Sequence, residues 1–274
     1  MLIIFIHARV WPDFPFPHIG EKLNNSLAFL IILLTLRGVF NSSFRKKQFD
    51  RLRNCFTDSR YRIYIFSILF LIEFILQVLW FADPEDFYWN LNAEQGYGTL
   101  FSSLQLYLLG LIVLLTAKAE NGEDAPWSQK LPWYLVASVY FFIALDDCVG
   151  IHENFMILGR NLALESTIFH FIHEWLWFYG PVAVVVVVFF ARFFLKRFIY
   201  SPRIIVTMFI ALTLWICVLV LEGLSKNVVD PLGLNYGRIL IAVEEGFEMF
   251  GATLFILGFS RHYKNLQEKS RTET

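Results

Sequence analysis

The sequence predicts an all-α fold, a polytopic transmembrane helical bundle of about seven spans, and three observations carry that prediction. Hydrophobic residues make up 57% of the 274 residues, and phenylalanine alone occurs 30 times, against roughly 45–50% apolar residues in soluble domains. These residues are gathered into long runs, and a hydrocarbon core of ~30 Å needs about 20 residues at ~1.5 Å each. The segments between the runs alternate between basic and base-poor, as the positive-inside rule expects. Water could not solvate so apolar a surface, whereas lipid can.

The spans are expected at about 24–40, 63–82, 99–117, 131–158, 169–195, 204–224 and 236–259, all in one transmembrane domain. The first is short in its strictly apolar part, Leu27 to Leu36, and Arg37 follows. It must tilt with Arg37 snorkelling or lie in the interface. The fourth is longer than a membrane requires. Loop 41–62 holds Arg45, Lys46, Lys47, Arg51, Arg53, Arg60 and Arg62, whereas loop 83–98 holds Asp83, Glu85, Asp86 and Glu94 with no Lys or Arg. Loop 192–203 and the segment after Phe259 are again basic. The basic segments are therefore expected on the cytoplasmic side, together with the C-terminus, and the N-terminus outside. The tail 260–274 is polar and is expected to be cytoplasmic and disordered. Trp80, Trp89, Trp127 and Trp133 fall at span ends and read as interfacial belts, and Val182 to Phe190 read as a lipid-facing run.

Several classes are excluded. Cys55, Cys148 and Cys217 are far apart and form neither a metal-type pair nor a disulfide framework. A net charge of −1, with no basic stripe interleaved with stacking aromatics, gives no footprint for nucleic acid. The bilayer itself is the expected partner, with a lipid or other small molecule as substrate.

The functional argument rests on ionisable residues inside the spans. Each costs several kcal/mol in lipid, so it faces a bundle interior or a wet cavity. Span four carries Asp146, Asp147, His152 and Glu153; span five opens with His170, His173 and Glu174; span six ends with Glu222; span seven carries Glu244, Glu245 and Glu248. Span two adds Glu73 and Gln77. At 100° per residue, His170, His173 and Glu174 share one face of their helix. Glu244 and Glu248 share another, with Glu245 at its flank, while Asp146 and Glu153 align on span four. Ala242 and Gly246 lie opposite Glu244 and Glu248, where small residues four apart permit close approach of a neighbour. Counting ~1.5 Å per residue from the span ends places the groups of four helices in the outer half of the membrane.

Imidazole and carboxylate without thiolate suit zinc, manganese or iron. His170, His173, Glu174, Asp146 and Glu244 are the candidate metal ligands, with Glu153 and Glu248 as catalytic carboxylates that act as general base on a metal-bound water. That reading makes the chain a metal-dependent, membrane-embedded hydrolase of a lipid or membrane-associated substrate. A proton- or cation-coupled transporter or channel is the alternative, and a non-catalytic polar network the third reading. Glu73 reads as a buried hydrogen-bond donor kept neutral by desolvation, and His7, His18 and His262 as incidental. The architecture is similar in kind to the seven-helix intramembrane hydrolases related to alkaline ceramidases and adiponectin receptors, which hold a metal between helices near one leaflet. Those proteins carry paired histidines in the last span, whereas here the pair lies in span five, so the likeness is one of architecture. A retinal protein is excluded because residues 239–259 contain no lysine.

Overall fold

The computed structural model describes residues 33, 37, 41–83, 88–91, 96–122, 124–149, 151, 176–225 and 236–272. They form seven α-helices with no strand among them: α1 (Ser42–Thr57), α2 (Ser59–Ala82), α3 (Tyr97–Asn121), α4 (Trp127–Val149), α5 (Leu176–Phe198), α6 (Pro202–Ser225) and α7 (Tyr236–Thr272). Five of them, α2 to α6, are long and apolar enough to cross a membrane. The first expected span, 24–40, lies outside the described residues apart from the helical Leu33 and Arg37. Residues 152–158 and 169–175 of the fourth and fifth expected spans lie outside them as well.

Successive helices alternate in direction. One end of the bundle therefore collects the start of α2, the end of α3, the start of α4, the end of α5 and the start of α6. These are the positions of Arg60, Lys118, Lys130, Arg197 and Arg203, and the end is called basic below. The opposite end collects the carboxylates of α4, α6 and α7 and is called acidic.

Helix α7 is the centrepiece. It packs against α6, α3, α2 and α1, while α3 packs on α4 and α5 on α6. Its 37 residues span roughly 55 Å at ~1.5 Å per residue, so it outruns a ~30 Å hydrocarbon core. The extra length corrects the expectation for 260–274. The helix continues to Thr272, and Tyr263 is buried within electrostatic range of Arg53 and Asp50 of α1. The segment is polar, but docking on α1 supplies the partner that a polar helix needs.

Without a hydrophobic drive between helices in lipid, close backbone approach and shape do the work. On α7, Gly251 faces Trp215 and Gly258 faces Met208. Both pairs are separated by seven residues along their own helices, the repeat of a regular antiparallel seam. Ala211, Ala144 and Ala252 are buried in the same core. Large rings fill what remains: Tyr140 of α4 lies 5.4 Å from Phe190, 5.8 Å from Trp215 and 5.7 Å from Phe255, centroid to centroid.

The structure corrects two further expectations. Val182, Val184, Val185 and Val188 face outward, but Phe190 is buried against Tyr140, so the run 182–190 is lipid-facing on one side only. Of the expected interfacial tryptophans, Trp127 is exposed, while Trp80, Trp89 and Trp133 are buried. Trp133 stands edge-on to Phe193, with 4.8 Å between the ring centroids, and Trp80 donates from Nε1 to the Arg238 carbonyl at 3.1 Å. Their positions in sequence are those of a belt, but helix rotation turns them inward.

Gly251 gives a direct test of the seam. A Cβ there would sit 2.6 Å from Trp215 Cδ1. The indole is held by Tyr140 and Phe255 and by its bond to the Glu248 carbonyl, so it has nowhere to move. Gly251→Ala is expected to lower unfolding free energy by about 1–3 kcal/mol, read as a fall in the thermal midpoint in detergent. Gly237→Ala, where no atom lies within 4 Å, is expected to cause no loss.

Candidate functional site

The acidic end is built from the last turns of α4 and α6 and the first turns of α7. The register of α7 is set from α2: Gln77 Nε2 donates to the Ala242 carbonyl at 3.0 Å, and Gly246 leaves room for the same amide, 3.1 Å from where its Cβ would be. The small-residue face expected from the sequence thus lies against α2. With that face occupied, the 100° steps of the helix turn the carboxylates toward α4 and α6.

Glu245 lies at the centre of the acidic group. It interacts electrostatically with Glu248 and Glu244 on its own helix, with Asp147 of α4 and with Glu222 of α6. Asp147 is oriented by Ser102 of α3, whose hydroxyl donates to Oδ2 at 2.7 Å. Trp215 donates from Nε1 to the Glu248 carbonyl at 3.2 Å and thereby pins that turn to α6. Asp146 is buried and interacts with Tyr179 of α5. Like charges at ~7 Å repel by about 2 kcal/mol at an effective dielectric of ~20. A group of this kind therefore exists only with protons, a bound cation or water to relieve it.

Of the candidate residues, Asp146, Glu244 and Glu248 are at this end. Glu245, expected at the flank, is half-buried and within electrostatic range of the half-buried Asp147. His152, Glu153, His170, His173 and Glu174 lie outside the described residues. Among the described residues, no three His, Cys, Asp or Glu side chains are grouped closely enough to hold a metal ion. The described carboxylates alone do not close a coordination sphere.

A second polar group lies deeper, between α2, α3 and α7. Glu73 is 6% exposed, Gln105 1% and Thr253 0%, so water cannot satisfy them and the protein must. Gln105 Nε2 donates to Glu73 Oε1 at 2.9 Å and to Thr253 Oγ1 at 2.7 Å, and the Thr253 hydroxyl donates to Glu73 Oε1. Glu73 is buried as the sequence suggests, but its Oε1 accepts from both partners, where the expectation was a donor. Gln105 and Thr253 are not apparent from the sequence. The signal for Gln105 is an amide inside the apolar run of span three, three residues from Ser102, which serves Asp147 on the same face.

The third polar group is at the basic end, and sequence reasoning missed it. Glu120 of α3 binds Arg197 of α5 through one oxygen and His262 of α7 through the other, the latter at 2.9 Å. The indole of Trp133 forms the floor: the Arg197 guanidinium lies over it at 5.8 Å, and the His262 ring is parallel to it within 9°. His262 is therefore a structural contact and not incidental. Nothing in the spacing of these three residues announces them, since they are 77 and 142 positions apart from Glu120.

Side-chain exposure of 21% for Arg197, 17% for Glu120 and 13% for His262 means that solvent screens this clasp weakly. Glu120→Gln is expected to cost about 1–3 kcal/mol, because it removes the negative charge and replaces one of the two acceptor oxygens with a donor. Lys264→Gln, which removes a pair to the largely exposed Glu268, is expected to cost at most about 0.5 kcal/mol. Thermal unfolding of the two variants in one detergent compares them directly.

An all-helical bundle with five helices long and apolar enough to cross a membrane defines this chain as a helical membrane-type protein, with a group of carboxylates at one end of the described residues. The chain belongs to the family described as Domain of unknown function (DUF8692), whose match covers residues 65–263. The matched stretch contains the acidic end, the Glu73 group and the Glu120 clasp, and begins after α1. No curated protein matches the chain, and no solved structure does.

Proposed function

We propose that the acidic end holds a divalent cation and that the protein is a metal-dependent, membrane-embedded hydrolase of a lipid or membrane-associated substrate. The supporting observation is the position of Glu245, within electrostatic range of carboxylates on α4, α6 and α7 in a medium that solvates charge poorly. A divalent ion relieves that repulsion with the oxygen donors present, and imidazoles from the adjoining segment would make the site suit zinc, manganese or iron. In this reading Asp146, Glu244, His170, His173 and Glu174 hold the ion, and Glu153 and Glu248 serve as catalytic carboxylates. Glu245, Asp147 and Glu222 complete the negative surround. Such an ion lowers the pKa of a bound water toward neutrality and polarises a carbonyl or phosphoryl oxygen. Ser102 keeps Asp147 oriented, and Trp215 keeps the Glu248 turn in place. The excess of Lys and Arg at the opposite end supports a cytoplasmic placement for that end and an outer-leaflet placement for the site.

The test is elemental analysis of detergent-purified protein. About one equivalent of Zn, Mn or Fe per chain is expected, falling severalfold in Glu245→Gln and in His170→Ala/His173→Ala, and chelation should lower the thermal midpoint by linkage. A metal content that is substoichiometric and indifferent to both variants would overturn the reading.

A second reading, proton or cation transport, is favoured by one observation: a further buried carboxyl, Glu73, lies between the acidic end and the opposite face. Glu73→Gln separates the two. The hydrolase reading expects unchanged metal content in this variant, with a lowered thermal midpoint alone. The transport reading expects loss of ion flux in proteoliposomes.

A further inference from the structure

The polar group between α2, α3 and α7 is short of hydrogens. Gln105 Nε2 has two hydrogens and three acceptors: Glu73 Oε1 at 2.9 Å, Thr253 Oγ1 at 2.7 Å and the Met249 carbonyl at 3.5 Å. The one hydroxyl hydrogen of Thr253 goes to the same Glu73 Oε1. Gln105 Oε1 is left buried and without a donor. An ionised carboxylate only accepts and offers about four lone-pair sites, whereas a protonated one needs fewer partners and brings a donor of its own. Unmade bonds are costly where water cannot make them, so the hydrogen count favours the protonated form of Glu73.

The charges around it point the same way. Between Ile63 and Ala82 of α2, Glu73 is the one Asp, Glu, Lys, Arg or His, and Arg62 stands eleven residues, ~16 Å, toward the basic end. On α3 the nearest cation is Lys118, thirteen residues or ~20 Å from Gln105. On α7 the cations are Arg261, ~12 Å past Thr253, and Arg238, ~22 Å before it. Helices α4 and α6, which pack on α3 and α7, carry Lys130 and Arg203 in their first turns at the basic end. Arg53 of α1 is within electrostatic range of Tyr263, farther out than Arg261. The groups that lie closer are acids: Glu248, five residues before Thr253, and Asp147, held by Ser102 three residues from Gln105. Among the described residues no Lys, Arg or His pairs with Glu73, and the nearby carboxylates oppose its ionisation.

Glu73 is also where the middle of α2 is held. The other bonds from α2 to α7, Gln77 to the Ala242 carbonyl and Trp80 to the Arg238 carbonyl, lie one and two turns nearer the acidic end. Glu73, Leu76 and Trp80 are the fully buried residues of α2. One turn toward the basic end the contact is a ring pair, Phe70 and Phe250, 6.0 Å apart. An ionised Glu73 could be hydrated only if α2 moved away from α3 and α7. We propose that Glu73 is a buried proton-binding site: a neutral carboxyl, its proton on Oε2, that latches α2 to α3 and α7 and releases α2 when the proton leaves to water.

The latch does not depend on the metal reading: metal content tests that one, and the carboxyl's own spectrum tests this one. Infrared spectra of the full chain in detergent are recorded at neutral pH for wild type and Glu73→Gln. Their difference is expected to show the C=O stretch of a protonated carboxyl, shifted by deuteration, and no carboxylate band. Thr253→Val removes one of the two donors to Oε1 and keeps the carboxyl, so it should move that band to higher frequency. A group that holds its proton in the folded chain and loses it in the unfolded chain contributes less stability as pH rises. The wild-type thermal midpoint is therefore expected to fall, from about pH 5 upward, where an unfolded glutamate is already ionised. The fall should exceed that of Glu73→Gln, which has no such proton to release. If Glu73→Gln does not fold, the band shift in Thr253→Val decides. The proposal is overturned if the difference spectrum holds a carboxylate band in place of the protonated one, if Thr253→Val leaves every protonated-carboxyl band unmoved, or if the two midpoints fall in parallel.

Discussion

The seventh helix is not among the five long and apolar enough to cross a membrane, and the rest of the bundle is arranged around the need to keep its carboxylates inside protein. It carries Glu244, Glu245 and Glu248 within two turns, and each would cost several kcal/mol in contact with lipid. Helices α6, α3, α2 and α1 enclose it, leaving only Ile239 and Val243 exposed between Gly237 and Phe259. Helix α2 shows the opposite solution. Most of its surface is apolar and faces outward, and it turns only Glu73, Leu76 and Trp80 fully inward.

Enclosure makes the position of α7 specific at three levels. Near the acidic end, Gln77, Trp80 and Trp215 bond to its backbone carbonyls. Deeper in the bundle, Thr253 joins Glu73 and Gln105. At the basic end, His262 joins Glu120. Between the last two levels the contacts are aromatic, Phe255 and Phe259 against Tyr140 and Trp133, with no polar group bridging them among the described residues. The polar contacts set rotation and height, because a slip of one residue would leave charged partners unpaired in a medium of low dielectric. The glycine seam with α6 sets the distance of approach.

The two ends of the bundle serve opposite electrostatic needs. At the acidic end, carboxylates are assembled from three helices, and protons, water or a bound cation relieve their repulsion. At the basic end, Glu120 is assembled with Arg197 and His262 so that opposite charges meet under weak solvent screening. The first arrangement sets like charges from α4, α6 and α7 against one another, whereas the second ties α3, α5 and α7 together. The family match spans both.

Most of the architecture was legible in the sequence. Spans two to six follow from runs long enough to cross the hydrocarbon, because solvation by lipid acts on each helix separately and leaves its mark in composition. The clustering of carboxylates toward one end was legible as well, since rise per residue fixes depth along a helix before any neighbour is known. Only the tertiary structure decided rotation and partnership. It brought Glu245, which the wheel had left at the flank, within electrostatic range of carboxylates on α4 and α6. It turned Trp80, Trp89 and Trp133 inward, continued α7 to Thr272 against α1, and brought Glu120, Arg197 and His262 together from distant parts of the chain. Those outcomes depend on which face of each helix meets which neighbour, a property of pairs of helices that no single helix records.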